Sequence, residues 1–459
     1  MNVPRSIFRQ YDVRGLVGSE LTPELARALG RAFATLGWER LGRAPVLAVG
    51  RDNRPSGDAL AEAARIGIAE TGATAVDVGQ VPTPALYFAV QALAADGGMQ
   101  VTGSHNPPEF NGFKMVLAGE AIYGDDVQRL YEIVSLETSR AGQGRISADG
   151  SILPRYREAI VARHHLARPV RVVVDCGNGV ASLIAISTLE ALGAEVFPLF
   201  AESDGTFPNH HPDPTVLENL RDLQAAVRLH SAELGIAFDG DADRIGAVDE
   251  RGTVVFGDQL LVLYGRDAVR RFGPGVGVIF DVKCSEILPQ ALSAAGAKPE
   301  MWKTGHSLIK ARMKETGALL AGEMSGHMFF GGDWFGFDDA LFAAARLLEI
   351  VAAQPGGLAR TLADLPRTFA TPELRLECEE SKKFDLVEKA SRHFAGRYPV
   401  NTIDGVRMTF PRGWGLVRAS NTQPILVLRF EATDESALAA YRAEVMGWLE
   451  RQQGAPGPA

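Results

Sequence analysis

The fold is decided by a unit that begins with the apolar run Val170-Arg-Val-Val-Val174. A helical stretch to Leu192 follows, and then Gly193-Ala194 and a second run, Glu195-Val-Phe197. Glycine commonly ends a helix because it adopts the left-handed conformation without steric cost. The order strand, helix, Gly-Ala, strand predicts a βα unit of a parallel or mixed sheet.

The same unit occurs twice more along the chain. An upstream copy opens with Val46-Leu-Ala-Val-Gly50 and carries Gly72-Ala73 after its helical stretch. A downstream copy opens with Gly277-Val-Ile-Phe280 and carries Gly296-Ala297. A unit repeated three times predicts three related α/β domains.

In each copy a further apolar run leads directly into a polar loop. Ligands bind beyond the carboxyl ends of strands in open α/β sheets. We therefore expect the three loops to form three walls of one cleft. The three pairs of run and loop are Met99–Val101 with Thr102–Pro107, Leu234–Phe238 with Asp239–Arg244, and Ala318–Ala321 with Gly322–His327.

The C-terminal segment has a different pattern. Leu374, Leu376 and Cys378 alternate with charged residues, as in a half-buried strand. We predict further antiparallel strands and a closing helix at Val400–Phe410, Gly415–Ser420, Ile425–Phe430 and Glu435–Glu450.

The predicted fold class is therefore α/β. Three related mixed α/β domains and a C-terminal α+β domain with an antiparallel sheet surround a central cleft. The expected domains are residues 1–150, 151–253, 254–366 and 367–459, and the tail Gly454–Ala459 is expected to be loose.

The charge balance argues against two kinds of partner. The 459 residues carry 47 Lys and Arg against 56 Asp and Glu, a formal charge of −9. Nucleic acids and anionic membranes require a basic surface, so neither is expected as a partner. Three widely spaced cysteines predict neither a disulfide framework nor a zinc site. The chain shows no signal-peptide pattern and no run of ~18 apolar residues, so the expected location is the cytoplasm.

The first polar loop, Thr102-Gly-Ser-His-Asn-Pro-Pro108, places Ser104 just after a strand. Gly103 permits close approach of the backbone, and Asn106-Pro107 favours a turn. A serine surrounded by backbone N–H groups is a suitable place for a phosphate. A capping serine in an ordinary turn is the alternative.

The second loop, Asp239-Gly-Asp-Ala-Asp-Arg244, contains three carboxylates within five residues. Their mutual repulsion favours a divalent cation, and ligands that are all oxygen indicate Mg²⁺. A solvated acidic turn is the alternative. An EF-hand is excluded, because Arg244 stands at the sixth position, where that loop requires glycine.

Two further loops carry groups that suit a phosphorylated sugar. Glu323 and Ser325 offer a carboxylate and a hydroxyl that can bind adjacent sugar hydroxyls. The segment Arg418-Ala-Ser-Asn-Thr422 offers a guanidinium, two hydroxyls and an amide, a set that can bind phosphate. A capped turn and a polar hairpin are the alternatives.

Taken together, these motifs resemble the α-D-phosphohexomutase superfamily, and within it the bacterial phosphomannomutase/phosphoglucomutase group. The resemblance covers essentially the whole chain. It begins at Phe8-Arg-Gln-Tyr-Asp-Val-Arg-Gly15 and continues through the four loops in order. Met324 and the stretch Trp334–Asp339 are similar to the mannose and glucose enzymes. The superfamily has three related α/β domains and a separate last domain, in agreement with the repeat.

The resemblance implies a function and a set of roles. It implies interconversion of hexose 1-phosphate and hexose 6-phosphate through a phosphoserine and a hexose 1,6-bisphosphate intermediate, with Mg²⁺ as cofactor. Ser104 would be the phosphorylated nucleophile and, with Asp239, Asp241 and Asp243, would bind the metal. The other expected site residues are Lys114, Arg244 and His327 for catalysis, and Tyr11, Arg14, Lys283, His306, Glu323, Ser325, Arg418, Ser420, Asn421 and Thr422 for substrate binding.

Several functions stay open at this stage. Phosphoglucosamine mutase is the nearest alternative, and a phosphosugar phosphatase would use the same serine and metal. A phosphosugar-binding protein without catalysis would need Arg418 but not Ser104. The proton acceptor, Lys114 or His327, and the oligomeric state also stay open.

Overall fold

The computed structural model describes residues 3–420 and 424–453, which form four β-sheets with helices packed on them. The predicted fold class is confirmed: the first three sheets are mixed, and the fourth is antiparallel throughout. No helix in the described ranges is long and apolar enough to cross a bilayer.

The first sheet runs in the order β7-β3-β2-β4-β5-β1, with the short β6 beside β5. Strands β2, β3 and β4 are parallel, and β5 reverses direction beside β4. The elements are β1 (Val13–Leu16), β2 (Val46–Arg51), β3 (Thr74–Gln80), β4 (Gly97–Val101), β5 (Phe110–Leu117), β6 (Glu120–Ala121) and β7 (Arg145–Ala148), with α1 (Pro23–Leu41), α2 (Gly57–Ala69), α3 (Thr83–Ala92), α4 (Asp125–Ser135) and the following α5 (Ile152–Val161).

The second and third sheets repeat this central order. They run β9-β8-β10-β11-β12 and β14-β13-β15-β16. In each sheet the third strand of the unit pairs with the first on one side and with an antiparallel strand on the other. The elements of the second sheet are β8 (Arg171–Asp175), β9 (Glu195–Leu199), β10 (Leu234–Phe238), β11 (Ile245–Asp249) and β12 (Val254–Val255), with α6 (Ala185–Ala191) and α7 (Arg221–Leu229). Those of the third are β13 (Gly277–Asp281), β14 (Lys298–Trp302), β15 (Leu320–Gly322) and β16 (Met328–Phe330), with α8 (Gly257–Phe272), α9 (Ile287–Ala294), α10 (His306–Thr316), α11 (Ala340–Ala352) and α12 (Gly357–Thr361).

The fourth sheet runs β17-β22-β21-β20-β19, with β18 also on β22. The predicted strand Val400–Phe410 is two strands in the structure, because a turn at Gly405 (φ 85°) folds it into a hairpin. The closing helix is present and ends at Gln453. The elements are β17 (Phe369–Ala370), β18 (Leu374–Glu377), β19 (Val400–Asn401), β20 (Val406–Phe410), β21 (Gly413–Ala419) and β22 (Ile425–Ala432), with α13 (Lys383–Ala395) and α14 (Glu435–Gln453).

The apolar core divides unevenly among the domains. One continuous core joins the second and third sheets and reaches α3 and α5. The fourth sheet has its own core, in which Phe394, Phe430 and Trp448 are buried. Between the third and fourth sheets, the described residues form a small apolar cluster around Val282 and Trp414. The last domain is therefore a separately packed body beside the other three.

The strand pairing bears on the proposed domain boundaries at 150, 253 and 366. The boundary at 253 precedes β12, which pairs with β11 and so belongs with the second sheet. We therefore place that boundary after Val255. The other two remain predictions.

Candidate active site

The loop that holds Ser104 follows β4 and is fixed by two buried residues from the end of β2. The Asp52 carboxylate accepts hydrogen bonds from the Thr102 hydroxyl (2.8 Å) and the Gly103 N–H (3.1 Å). The Arg54 guanidinium donates to four loop carbonyls, including that of Ser104 (2.8 Å). Ser104 itself has a φ of 51°, an uncommon value for a residue with a side chain. The surroundings therefore hold Ser104 in one orientation.

The acidic loop follows β10 and folds back on itself. The backbone N–H groups of Asp243 and Arg244 both donate to Asp239 Oδ1 at 3.0 Å. Ala242 has a φ of 59°, which lets the loop turn tightly. All three carboxylates are fully buried. The turn thus gathers three anions where water cannot stabilise them.

The two loops meet, as the sequence analysis expected. Ser104 Oγ donates a hydrogen bond to Asp239 Oδ2 at 3.1 Å. Gly240 makes this approach possible, because a Cβ at that position would lie 2.4 Å from the Ser104 carbonyl oxygen. The hydroxyl and the acidic trio therefore share one buried location.

Lys114 supplies part of the positive charge that the acidic trio requires. It lies on β5 with its Nζ 2.7 Å from Asp241 Oδ2, and it also forms an ion pair with Asp243. Burial alone would lower the pKa of Lys114, but these carboxylates outweigh burial and raise it. Burial and the other two carboxylates raise the pKa of Asp239 well above its usual value. One ammonium does not balance three carboxylates.

The oxygen atoms of the trio fit a divalent cation. One oxygen from each of the three carboxylates lies within 4.8 Å of the others. Asp241 Oδ1 and Asp243 Oδ1 are buried and have no hydrogen-bond partner. Buried carboxylate oxygens without a partner are costly unless they coordinate a cation. The donor set is all oxygen, so it is of the hard type that Mg²⁺ and Ca²⁺ prefer.

His327 and Arg244 join the second and third loops. Their backbones form an isolated bridge, and Arg244 Nε donates to His327 Nε2 at 2.9 Å. On the other side of the ring, His327 Nδ1 lies 3.1 Å from Asp338 Oδ2. Asp338 also binds Lys310 Nζ at 2.8 Å. The imidazole ring is therefore placed between the Arg244 guanidinium and the Asp338 carboxylate.

The third loop presents Glu323 and Ser325 to the cleft. The Ser325 hydroxyl donates to Glu323 Oε2 at 3.1 Å, and the Gly305 N–H donates to Oε1 at 3.1 Å. Burial raises the pKa of Glu323. The carboxylate is therefore oriented by two donors at the wall of the cleft.

The remaining predicted side chains lie around the same cleft. Tyr11 donates to the Thr304 carbonyl at 3.0 Å, which links the first and third domains. Lys283 lies 3.4 Å from Glu373, and Arg14 binds Asp12 and Asn106. His306 begins α10, and burial holds its pKa well below the usual value.

Arg418 is at the end of β21, in the fourth domain. Asp404 Oδ2 accepts from its Nε at 3.1 Å, and the Ser420 carbonyl accepts from buried Lys383 at 2.6 Å. Asn421 and Thr422 lie outside the described residues, so their predicted role as phosphate ligands remains a prediction.

A cleft of ≈1630 Å³ is lined by residues from all four domains. The acidic trio lies behind its wall, buried, while Ser104 reaches it. The predicted residues that line the cleft are Tyr11, Arg14, Ser104, Lys114, Arg244, Lys283, His306, Glu323, Ser325, His327, Arg418 and Ser420.

Sequence reasoning missed several residues that build the site. Asp52 and Arg54 follow the first strand of the first repeat, whereas only the loops after third strands were considered. Because β2 lies beside β4, its end meets the Ser104 loop. Thr83 was also missed: its hydroxyl donates to Asp241 Oδ2 at 2.5 Å. The charged residues at the end of β2 were the available signal.

The fold and cleft define this chain as a four-domain α/β enzyme, and comparison with known proteins gives its family. Four successive segments match domains of phosphoglucomutase/phosphomannomutase: alpha/beta/alpha domains I (residues 5–141), II (154–252) and III (256–369), and the C-terminal domain (373–447). The chain therefore belongs to the phosphoglucomutase/phosphomannomutase family.

Named relatives and solved structures agree with this assignment. The chain is 50% identical over 438 residues to a phosphomannomutase/phosphoglucomutase of Pseudomonas aeruginosa, with 95% of this chain and 94% of that protein covered. It is 46% identical over 442 residues to a phosphoglucomutase of Neisseria gonorrhoeae, with 95% of each covered. A phosphoglucomutase/phosphomannomutase family protein from Burkholderia thailandensis superposes with a TM-score of 0.92 at 44% identity, covering 100% of this chain and 99% of that one.

Proposed function

We propose that this chain is a phosphohexose mutase that interconverts the 1-phosphates and 6-phosphates of glucose and mannose. The observation that carries the proposal is the contact between Ser104 Oγ and Asp239 Oδ2. The same cleft is lined by Glu323 and Ser325 of the third loop and by Arg418. Family membership supports the reaction class. The roles of individual residues below are part of the proposal.

Ser104 carries the phosphoryl group that is transferred. A free hydroxyl of the bound hexose phosphate attacks the phosphorus, the bond from phosphorus to Ser104 Oγ breaks, and the hydroxyl proton leaves to a base. The product is a hexose 1,6-bisphosphate and an unmodified serine. The bisphosphate then turns, and Ser104 Oγ attacks its other phosphoryl group and loses its proton. The bond from that phosphorus to the sugar oxygen breaks, the sugar oxygen takes up a proton, and Ser104 is phosphorylated again. The fixed loop around Ser104 keeps the geometry the same for both transfers.

Charge neutralisation lowers the barrier, since phosphoryl transfer depends mainly on positioning and electrostatics. Lys114 and Arg244 are cations beside the Ser104 loop, where they neutralise charge on the phosphoryl oxygens. Asp239, Asp241 and Asp243 would hold Mg²⁺, which would withdraw charge from the phosphoryl group. The buried free oxygens of Asp241 and Asp243 support this assignment.

The base is constrained by the contacts at the site. Lys114 is held as an ammonium by Asp241 and Asp243, so it cannot accept a proton in this arrangement. His327 Nε2 accepts a hydrogen bond from Arg244 Nε at 2.9 Å, so its lone pair is occupied in this arrangement. If Arg244 turns toward the phosphoryl group, His327 Nε2 becomes available to the attacking hydroxyl. Of the two candidates we favour His327.

The distal end of the sugar is held by the remaining loops. Glu323 and Ser325 bind hydroxyls, and Arg418 with Ser420 binds the phosphate that is not reacting. The same binding groups accept either end of the bisphosphate after it turns. Hydroxyl contacts away from C2 leave glucose and mannose equally acceptable.

A substrate panel tests the proposal. The purified chain is supplied with Mg²⁺, a trace of glucose 1,6-bisphosphate, and glucose, mannose or glucosamine 1-phosphate, while 6-phosphate and free phosphate are measured separately. We expect turnover of glucose and mannose phosphates with no free phosphate. Preference for the glucosamine ester would identify a phosphoglucosamine mutase, and release of phosphate would identify a phosphatase. Ser104→Ala is the control, and it should abolish turnover.

A further inference from the structure

The guanidinium of Arg418 is held by a carboxylate that also contacts the third domain. Asp404 Oδ2 accepts from Arg418 Nε at 3.1 Å, and Asp404 Oδ1 accepts from Nη2 at 3.4 Å. The same Oδ2 accepts from the backbone N–H of Thr304 at 3.0 Å. The side chains of Asp404 and Arg418 are 15% and 8% exposed, so water screens the pair little.

The backbone around Asp404 is shaped to make these contacts. Gly405, with a φ of 85°, turns the chain between β19 and β20 directly over Arg418. A Cβ on Gly405 would lie 2.5 Å from the Val417 carbonyl oxygen and 2.6 Å from the Arg418 Cβ. The turn therefore packs on the strand that carries the arginine, and its shape depends on glycine.

The same short segment touches a second loop of the third domain. Arg407 Nη1 donates to the carbonyls of Val282 (2.6 Å) and Cys284 (2.8 Å), which flank Lys283. Thr304, bound by Asp404, lies two residues before His306. Residues 404–407 thus attach the fourth domain to two of the third-domain loops that carry predicted substrate ligands, those of Lys283 and His306. Among the described residues, a small apolar cluster around Val282 and Trp414 also joins the two domains.

We propose that Asp404 is a positioning residue for the phosphate clamp: it fixes the Arg418 guanidinium and ties it to the Thr304 loop. This inference rests on the proposed function, because it concerns how Arg418 binds the non-reacting phosphate. The carboxylate uses two of the five N–H donors of the guanidinium, so a phosphate can bind the same group. A long side chain fixed in advance loses less entropy when it binds.

Two physical effects act in opposite directions on removal of Asp404. Loss of the anion makes the site more positive, which favours a phosphate dianion. Loss of the contact frees Arg418 and loosens the attachment to Thr304, which disfavours binding. The buried geometry and the shared Oδ2 indicate that positioning dominates, so the affinity for substrate should fall.

The experiment compares kcat and KM for glucose 1-phosphate in five proteins. These are the parent chain, Asp404→Asn, Asp404→Ala, Arg418→Ala and the double variant Asp404→Ala with Arg418→Ala. Asp385→Asn, which removes an exposed carboxylate paired with Lys389 in the same domain, is the matched control. Thermal melting shows whether each protein is folded.

Asp404→Ala should raise KM about tenfold with kcat within about threefold of the parent, because it affects binding more than chemistry. The KM of Asp404→Asn should lie between those of the parent and Asp404→Ala, because the amide keeps one acceptor oxygen. In the Arg418→Ala background the substitution should add nothing. A lowered KM would show that Asp404 competes with phosphate, and an equal loss in both backgrounds would show a merely structural role. Either result overturns the inference.

Failure of the proposed function would be recognisable separately. A parent chain that converts no hexose phosphate contradicts the mutase proposal. The same set of variants is then compared by calorimetric titration with glucose 6-phosphate, which requires no turnover. Weaker binding in Asp404→Ala, seen only when Arg418 is present, would support the positioning role, and unchanged binding would refute it.

Discussion

Thr83 provides the sharpest test of how the acidic loop is oriented for a cation. It is fully buried at the start of α3, where its hydroxyl donates to Asp241 Oδ2 at 2.5 Å and its backbone N–H donates to the Asp241 carbonyl at 2.9 Å. Thr83→Val keeps the shape and the backbone bond but removes the hydroxyl. A hydrogen bond to a charged acceptor contributes about 1.5–3 kcal/mol. Lys114 still binds the same oxygen, so we expect the lower part of that range.

At 1.4 kcal/mol for each factor of ten, the lower part of the range corresponds to about 10–30-fold weaker cation binding. The loss of one residue that orients a metal ligand typically has an effect of ~10–100-fold, in agreement. The assay is mutase rate against Mg²⁺ concentration, in which the half-saturating concentration should rise while excess Mg²⁺ restores most of the rate. Thr188→Val is the control, since that buried hydroxyl binds the Ile184 carbonyl in α6, within the second domain. A half-saturating concentration within twofold of both the parent and the control would refute the reasoning.

Two further predictions concern packing and pH. Gly240→Ala should destabilise the chain by about 1–3 kcal/mol and slow turnover, because its Cβ would displace the Ser104 carbonyl. Gly150→Ala is the control and should do neither, because a Cβ there meets nothing within 4 Å. Equal rates for the two variants would contradict this prediction. Burial lowers the pKa of His164 to about 4, while its Nδ1 donates to the Ile160 carbonyl. Below pH ~6.5 the His164 side chain is protonated in the unfolded chain, but in the folded chain it stays neutral down to about pH 4. Between pH 7 and 4 the parent should therefore lose about 3 kcal/mol more free energy of unfolding than His164→Gln. Urea unfolding at both pH values measures the difference, and parallel losses would contradict it.

The repeat could be predicted because it depends on local patterns. Short apolar runs, helical stretches and Gly-Ala pairs report strands, helices and helix ends wherever they occur. The rule that ligands bind at the carboxyl ends of strands then brought the three loops together correctly. The shared order of β3-β2-β4, β9-β8-β10 and β14-β13-β15 explains why one rule worked three times.

The supporting contacts could not be predicted in the same way. Arg54 reaches carbonyls about fifty positions further along the chain, and Thr83 meets Asp241 across 158 positions. The first contact depends on which strands are neighbours in the sheet, and the second depends on how two domains pack. The charged residues after β2 mark a candidate position but do not identify its partner. The sequence pattern predicts one continuous strand over Val400–Phe410, whereas the structure has a hairpin that turns at Gly405. Gly405 was the available signal, because glycine is common in turns, but its positive φ is visible only in the structure.

The central claim is that Ser104 carries the phosphoryl group that moves between sugar hydroxyls. It is tested most directly by loading the protein with radioactive phosphate from labelled glucose 1,6-bisphosphate, locating the label by peptide mapping, and then adding unlabelled glucose 1-phosphate. We predict label on the peptide that contains Ser104, followed by its transfer to the sugar. Label elsewhere on the chain, or label that leaves only as inorganic phosphate, would contradict the account.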